Sequence, residues 1–133
     1  MIVTDTNVVA HLFLASEQSV LAERALQKDS VWTAPILWRS EFRSVLTLYL
    51  RKALLDIQQC QQIMSSASSL LRGREYEAPS HEVLRLASIS KCSAYDCEFV
   101  AVAMDLGVPL VTLDKQLLQQ FPSVAVTLRT FSE

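Results

Sequence analysis

The sequence predicts an α/β fold, with a central parallel sheet, helices on both of its faces and a helical lobe beside it. Short apolar strand-like stretches alternate with longer segments of helical periodicity along the 133 residues, which favours parallel strands joined by right-handed crossovers. Half of the residues are apolar and only 20% are charged, so the chain can bury a sizeable core. An excess of helical pattern in the middle of the chain predicts the lobe.

The N-terminal half contains two predicted strands and three predicted helices. The strands are the apolar runs at Met1–Thr4 and Val31–Ala34. The helices follow from apolar spacing of three and four residues: one opens at Val8, one spans Glu17–Lys28 and one runs from Pro35 to Leu50. Pro35 suits the first turn of a helix because its φ angle is already helical.

The C-terminal half continues the alternation. Strands are expected within Arg74–Pro79, at Pro109–Leu113 and at Val124–Leu128. Helices are expected from Asp56 towards Gly73, over Ser80–Ser90, over Ala94–Leu106, and from Asp114 to Phe121. Ser93 is a good cap for the third of these helices, and Gly107 ends it. Neither an internal repeat nor a domain boundary is visible, so we expect a single domain over residues 1–133.

Composition limits the compartment and the partners. The formal net charge of -2, from 12 basic and 14 acidic residues, argues by itself against a generic nucleic-acid binder. Residues 39–91, however, carry +3, and these basic residues either hold phosphates beside an acidic pocket or form solvated helix faces. Three isolated cysteines, no signal-peptide pattern and no long apolar run favour a cytoplasmic protein without a membrane segment.

Four carboxylates stand in unusual places. Asp5 and Asp114 each follow an apolar strand and precede a helix, at the sheet edge where α/β proteins bind ligands. The alternative for both is a helix N-cap. Asp96 follows the cap residue Ser93 by three positions, as in a capping box, but apolar neighbours predict that it is partly buried.

Glu41 is the fourth carboxylate, and the spacing places it inside a long helix, on an apolar stripe. A buried salt bridge to Arg39 or Arg43 is the alternative, although both arginines lie two positions away and point to other faces of the helix. If the four acids converge, two charges about 4 Å apart repel by about 4 kcal/mol at an effective dielectric of ~20, so a cation or raised pKa values must compensate. Oxygen ligands select Mg²⁺ or Mn²⁺, and the natural chemistry is metal-assisted phosphodiester hydrolysis.

Four acidic segments, taken in order, resemble a PIN domain of the VapC type, the toxin ribonuclease of bacterial toxin–antitoxin pairs. The segments are I-V-T-D-T-N-V at Ile2–Val8, P-I-L-W-R-S-E-F-R-S-V-L at Pro35–Leu46, Y-D-C-E-F-V-A-V-A at Tyr95–Ala103 and L-G-V-P-L-V-T-L-D at Leu106–Asp114. Each segment alone is weak evidence for the family, but the four segments keep their order and separation over nearly the whole chain. The resemblance implies a PIN-like α/β/α sandwich with about five parallel strands.

The same resemblance implies an endoribonuclease whose metal-activated water attacks RNA. It places the family's four acids at Asp5, Glu41, Asp96 and Asp114, which hold Mg²⁺ or Mn²⁺. It also implies a homodimer that a cognate antitoxin blocks. Asn7 and Thr112 fall on supporting polar positions, whereas Ser44 stands where relatives often carry Asn. Thr6 is a further candidate for contacting a carboxylate or phosphate, and the candidates for RNA contact are Arg39, Arg43 and Lys115.

Two rival interpretations remain at this point. One is a phosphotransfer or phosphatase domain with Asp5 as the nucleophile, but a haloacid-dehalogenase-like site needs a second Asp where Asn7 stands. The other is a catalytically silent PIN-like module that binds RNA or a protein partner. The presence of all four acids disfavours that module. Whether Glu41 binds metal directly or orients the water is open in the sequence.

Overall fold

The computed structural model describes all 133 residues and contains five strands and eight helices. The strands are β1 (Ile2–Thr4), β2 (Trp32–Pro35), β3 (Glu75–Tyr76), β4 (Leu110–Thr112) and β5 (Ala125–Thr127). The helices are α1 (Thr6–Phe13), α2 (Ser19–Lys28), α3 (Trp38–Arg51), α4 (Ile57–Leu70), α5 (Ser80–Ser88), α6 (Ala94–Leu106), α7 (Lys115–Gln120) and α8 (Leu128–Ser132).

All strand pairs are parallel, and the strands lie in the order β3-β2-β1-β4-β5. The sheet is flanked by helices, so the predicted α/β/α architecture with five parallel strands is confirmed. β1 lies at the centre, hydrogen-bonded to β2 on one side and to β4 on the other. Because every strand runs the same way, all five carboxyl ends meet at one edge of the sheet.

The core forms where the sheet is covered by α6. This helix packs on β1, β2 and β4, and its segment Phe99–Ala103 is buried without interruption. A helix that is apolar all round is expected at such a central position. Beside the sheet, α3 and α4 pack on each other and form the helical lobe that the sequence predicts. None of the helices is long and apolar enough to span a membrane.

One predicted element boundary is wrong, and one helix was not predicted. Pro35 does not open a helix, since it ends β2 in register with Tyr76 and α3 begins only at Trp38. Glu41 therefore lies in the first turn of α3 rather than in the helix interior. The C-terminal helix α8 has no counterpart in the sequence-based prediction. The expected end of α6 is confirmed, because Gly107 adopts the left-handed conformation with φ 67°.

Candidate active site

The carboxyl edge of the sheet contains an acidic cleft of about 400 Å³. All four predicted acids line it, together with other residues of α1, α3 and their flanks. The acids are Asp5, Glu41, Asp96 and Asp114, and the other lining residues are Thr6, Asn7, Ser44, Val45 and Leu48. The structure thus brings the four carboxylates together at one place.

Asp5 lies at the end of the central strand and is 8% exposed. It is the N-cap of α1, where its Oδ1 accepts a hydrogen bond of 2.8 Å from the Thr6 backbone N–H. Its Oδ2 accepts a hydrogen bond of 2.6 Å from the Thr112 hydroxyl. Asp5 thus both caps α1 and lines the cleft, because the capping hydrogen bond fixes the side chain that faces the cleft.

Thr112 and Asn7 tie β1 to β4 behind the carboxylates. The Thr112 hydroxyl, which donates to Asp5, also accepts from the backbone N–H of Asp114 at 2.9 Å. Asn7 donates weakly to Asp5 at 3.4 Å and accepts from the Leu113 N–H at 3.4 Å. One fully buried hydroxyl on β4 therefore sets the relative position of two of the four acids.

Glu41 is held against α1 from the opposite wall of the cleft. Its Oε1 accepts a hydrogen bond of 2.6 Å from the hydroxyl of Thr6. Neither alternative partner contacts it, since Arg39 pairs with Glu75 and Arg43 donates to Ser40. The proposed buried salt bridge of Glu41 is therefore absent, and a neutral hydroxyl holds the carboxylate instead.

Asp96 and Asp114 both lie at helix starts. Ser93 caps α6 by accepting from the Asp96 N–H at 3.0 Å, but the reverse bond of a full capping box is not formed. The Asp96 carboxylate is thus left to face the cleft. Asp114 caps α7 by accepting from the Leu117 N–H at 3.0 Å, so it combines a cap with a cleft position as Asp5 does.

The cleft concentrates negative charge without a basic residue among its lining. Burial raises the pKa of Asp5 to about 6, and the charges of Glu41 and Asp96 add to the rise, while the Thr112 hydrogen bond opposes it. Burial is also the largest cause of the raised pKa values of Glu41 and Asp96. The Asp96 charge contributes at Glu41, and the Asp114 charge contributes at Asp96. The acids therefore interact along the cleft as one coupled group.

The predicted basic residues are not part of this cleft. Arg39 is an exposed partner of Glu75, and Arg43 lines a separate groove between α3 and α4. Lys115 is exposed at the first residue of α7, beside Asp114. The structure leaves the RNA-contact prediction for these three residues untested, but it places none of them among the carboxylates.

Two acidic residues with a bearing on the site were not singled out in the sequence. The Glu98 charge helps to raise the pKa of Glu41. Glu75 accepts a hydrogen bond of 2.7 Å from the indole N–H of Trp38 and pairs with Arg39, both in the first turn of α3. The spacing of two residues places Glu98 on another face of α6 than Asp96, so neither this spacing nor the long-range contacts of Glu75 gave a signal in the sequence.

The chain is similar to known proteins over nearly its whole length. A family model described as PIN domain matches residues 2–122. Ribonuclease VapC3 of Pyrobaculum aerophilum is 27% identical over an alignment of 126 residues, which covers 92% of this chain and 96% of that protein.

Three solved structures share the fold. PAE2754 from Pyrobaculum aerophilum aligns with a TM-score of 0.77 and 21% identity, covering 98% of this chain and 85% of the other. A toxin–antitoxin complex from Klebsiella pneumoniae aligns at 0.73 and 17% identity, with 96% and 98% covered. FitAcB from Neisseria gonorrhoeae aligns at 0.72 and 20% identity, with 96% of each chain covered.

The matched residues include the four segments that carry the resemblance. The all-parallel sheet and the acidic cleft at its carboxyl edge agree with that resemblance. The VapC-type resemblance seen in the sequence is therefore confirmed, both by the family match and by the relative named Ribonuclease VapC3. The chain belongs to the PIN domain family.

Proposed function

We propose that the protein is a divalent-metal-dependent endoribonuclease that acts as the toxin of a toxin–antitoxin pair. The observation that carries this proposal is the convergence of four carboxylates in one cleft that has no basic lining residue. The relative Ribonuclease VapC3 and the structural neighbour from Klebsiella pneumoniae, a toxin–antitoxin complex, support it. The proposal includes one PIN-like domain over residues 1–133, a cytoplasmic location, a homodimer, an RNA substrate and inhibition by a cognate antitoxin.

The donor set of the cleft fits Mg²⁺ or Mn²⁺. Its ligands are all oxygens, since four carboxylates and the oxygens of Thr6 and Asn7 line it. Burial raises the pKa values of Asp5, Glu41 and Asp96, and the charges of neighbouring acids add to the rise; a bound cation would offset both effects. No three acidic, His or Cys side chains form a complete metal-binding group in the structure. Full coordination therefore requires some carboxylates to change rotamer.

The chain supplies fixed and adjustable ligands. Asp5 and Asp96 are the best candidates for direct contact with the cation, because short side chains at element ends hold fixed positions. Asp114 completes the cleft from the α7 side, directly or through water. Bound there, the metal would lower the pKa of a water molecule and neutralise charge on a phosphoryl oxygen. Glu41, held at the opposite wall by Thr6, would either orient a water molecule and accept its proton or hold the cation directly.

Cleavage of cellular RNA by the purified protein, free of antitoxin, tests the proposal. We expect fragments to appear with Mg²⁺ or Mn²⁺, to disappear with chelator, and to be lost in Asp5→Asn and Asp96→Asn. Asp105→Asn is the matched control, since Asp105 lies exposed on the same helix as Asp96 and does not line the cleft. Intact RNA under all of these conditions would contradict the nuclease proposal. RNA binding without cleavage would then favour a catalytically silent PIN-like module. That alternative is also compatible with the cleft, because its side chains do not form a complete metal-binding group.

A further inference from the structure

A second cavity, here termed the β2–β3 pocket, opens at the same edge of the sheet. It has a volume of about 430 Å³ and forms where Ile36 follows β2, Tyr76 ends β3, and α5 and α6 pack together. The strand order places the end of β2 directly beside the end of β1, which precedes Asp5, and the end of β3 one strand further out. The pocket is therefore a neighbour of the acidic cleft, and its volume lies in the range of ~300–1,000 Å³ typical of ligand sites.

Glu98 on α6 connects the two cavities. It lines the β2–β3 pocket, and its charge acts on Glu41 in the acidic cleft. Because each helical residue turns the chain by about 100°, Glu98 and Asp96 point about 160° apart around α6. The Glu98 side chain is partly buried in the wall of the pocket, and no hydrogen bond or salt bridge of the chain engages its carboxylate. Its carboxylate is thus a half-buried acceptor that a ligand can satisfy.

The remaining walls define the class of ligand. Ile36 and Leu84 are 52% and 65% exposed, and Tyr76 lies beside them, so the pocket offers apolar and aromatic surface to a flat ring. Glu77 adds a second carboxylate, and two negative charges exclude a phosphate group. The pocket suits a planar, uncharged group that donates hydrogen bonds. A nucleobase fits this description when its sugar–phosphate chain runs through the neighbouring acidic cleft.

Hydrogen-bond chemistry selects among the four bases. A carboxylate accepts two parallel N–H bonds, and the Watson–Crick edge of guanine presents two adjacent donors, N1–H and N2–H₂. On the corresponding edges of adenine, cytosine and uracil a donor stands beside an acceptor, which would face a carboxylate oxygen unfavourably. We propose that the β2–β3 pocket is a nucleobase subsite in which Glu98 selects guanine in the RNA substrate. This inference rests on the ribonuclease function proposed above.

Sequencing the cleavage sites in a randomised single-stranded RNA pool tests the subsite. For the unaltered protein with Mg²⁺ or Mn²⁺, we expect guanosine to be enriched about tenfold at one position beside the break, as a bidentate base contact provides. Glu98→Gln retains the size of the side chain but replaces one acceptor by a donor, and we expect it to abolish that enrichment. Glu23→Gln, on the exposed face of α2, is the matched control and should retain it. A purely electrostatic effect of Glu98 on Glu41 would change the rate without changing the base preference.

The outcomes separate the two proposals. Cleavage without guanosine preference, or an unchanged preference in Glu98→Gln, would overturn the subsite and leave the nuclease function intact. If no RNA is cleaved, the nuclease proposal fails, and the subsite is judged by titrating the metal-free protein with the uncharged nucleosides guanosine and uridine and following its backbone amide NMR signals. Shifts at Tyr76 and Glu98 with guanosine but not with uridine would support the pocket as a guanine site. Equal shifts, or none, would overturn it.

Discussion

Asp5 holds a charge that its surroundings oppose. Burial and two neighbouring acids raise its pKa from the usual 3.8 to about 6, despite hydrogen bonds from Thr112 and Thr6. A rise of this size corresponds to about 3 kcal/mol of destabilisation of the ionised form. Because the folded protein binds the proton more tightly than the unfolded chain, this contribution to stability is present below pH ~4 and lost as the pH rises through ~6.

Asp5→Asn is expected to stabilise the metal-free protein at pH 7, by up to about 3 kcal/mol, and to have little effect at pH 3.5. The amide carries no charge to bury, and its oxygen still accepts a hydrogen bond from Thr112 or Thr6. Denaturant unfolding of both proteins with chelator present, at the two pH values, measures the difference. If Asp5→Asn lowers the free energy of unfolding equally at both pH values, the cost of burying the Asp5 charge does not determine stability at this position.

Thr112 is expected to set the pH range of activity. Thr112→Val removes the hydrogen bond that lowers the pKa of Asp5, so that pKa rises further and the acid limb of the rate profile moves to higher pH. The lost acceptor of the Asp114 N–H also lowers stability, by about 1–3 kcal/mol. Thr112→Ser keeps the hydroxyl and should restore the profile. Rates of RNA cleavage measured from pH 5 to 9 test this prediction. A Thr112→Val variant whose rate falls by the same factor at every pH would contradict it.

At the scale of elements, α3 is the one whose placement decides the site. Its first turn contains Glu41. That turn is linked to β3 through Glu75, whose carboxylate accepts hydrogen bonds from Trp38 and Arg39. β3 has only two residues, yet it pairs in parallel with the end of β2. The shortest strand of the sheet therefore fixes the N-terminus of the helix that forms the wall of the cleft.

The sequence predicts most elements because apolar spacing and caps are local signals. β1 and β4 lie where continuous apolar runs predict them, and α6 lies where Ser93 and Gly107 predict its ends. The start of α3 could not be predicted in the same way. Pro35 is equally compatible with the first turn of a helix and with the end of a strand, and only its pairing with Tyr76 shows that it belongs to β2. Likewise, the four acids were predictable from strand ends and family motifs. The hydroxyl bridges of Thr6 and Thr112 to their carboxylates depend on contacts 35 and 107 residues apart.

Glu75→Ala is expected to lower the free energy of unfolding by about 1–3 kcal/mol, because the indole N–H of buried Trp38 loses its acceptor. Glu75→Gln retains an acceptor for the indole and should lose less. Arg39→Ala removes only an exposed ion pair and should leave stability near that of the unaltered protein. Denaturant unfolding of the three variants compares these contacts. Equal losses in Arg39→Ala and Glu75→Ala would show that the ion pair, not the indole, fastens α3.

At the scale of the whole molecule, the net charge is largely a property of the cleft. The protein carries -2 in all, and its four cleft acids alone contribute -4, so the remainder is slightly basic at +2. Two bound divalent cations would offset the acids completely. An acidic balance of this kind does not exclude an RNA partner, because the negative charge is concentrated where a cation would neutralise it rather than spread over the surface.

Mg²⁺ or Mn²⁺ is expected to raise the melting temperature, because a ligand that binds only the folded state adds about 2.7 kcal/mol at 100 times its dissociation constant. The gain should be largest above pH 6, where Asp5 is ionised, and shrink towards pH 4 as protons compete for the same oxygens. Asp96→Asn should reduce the response, whereas Asp105→Asn should not. NaCl at matched ionic strength separates binding from screening. A melting temperature that saturating metal leaves unchanged, or raises no more than NaCl does, would contradict a shared cation site, because the coupled charges of Asp5, Glu41 and Asp96 would then be tolerated without one.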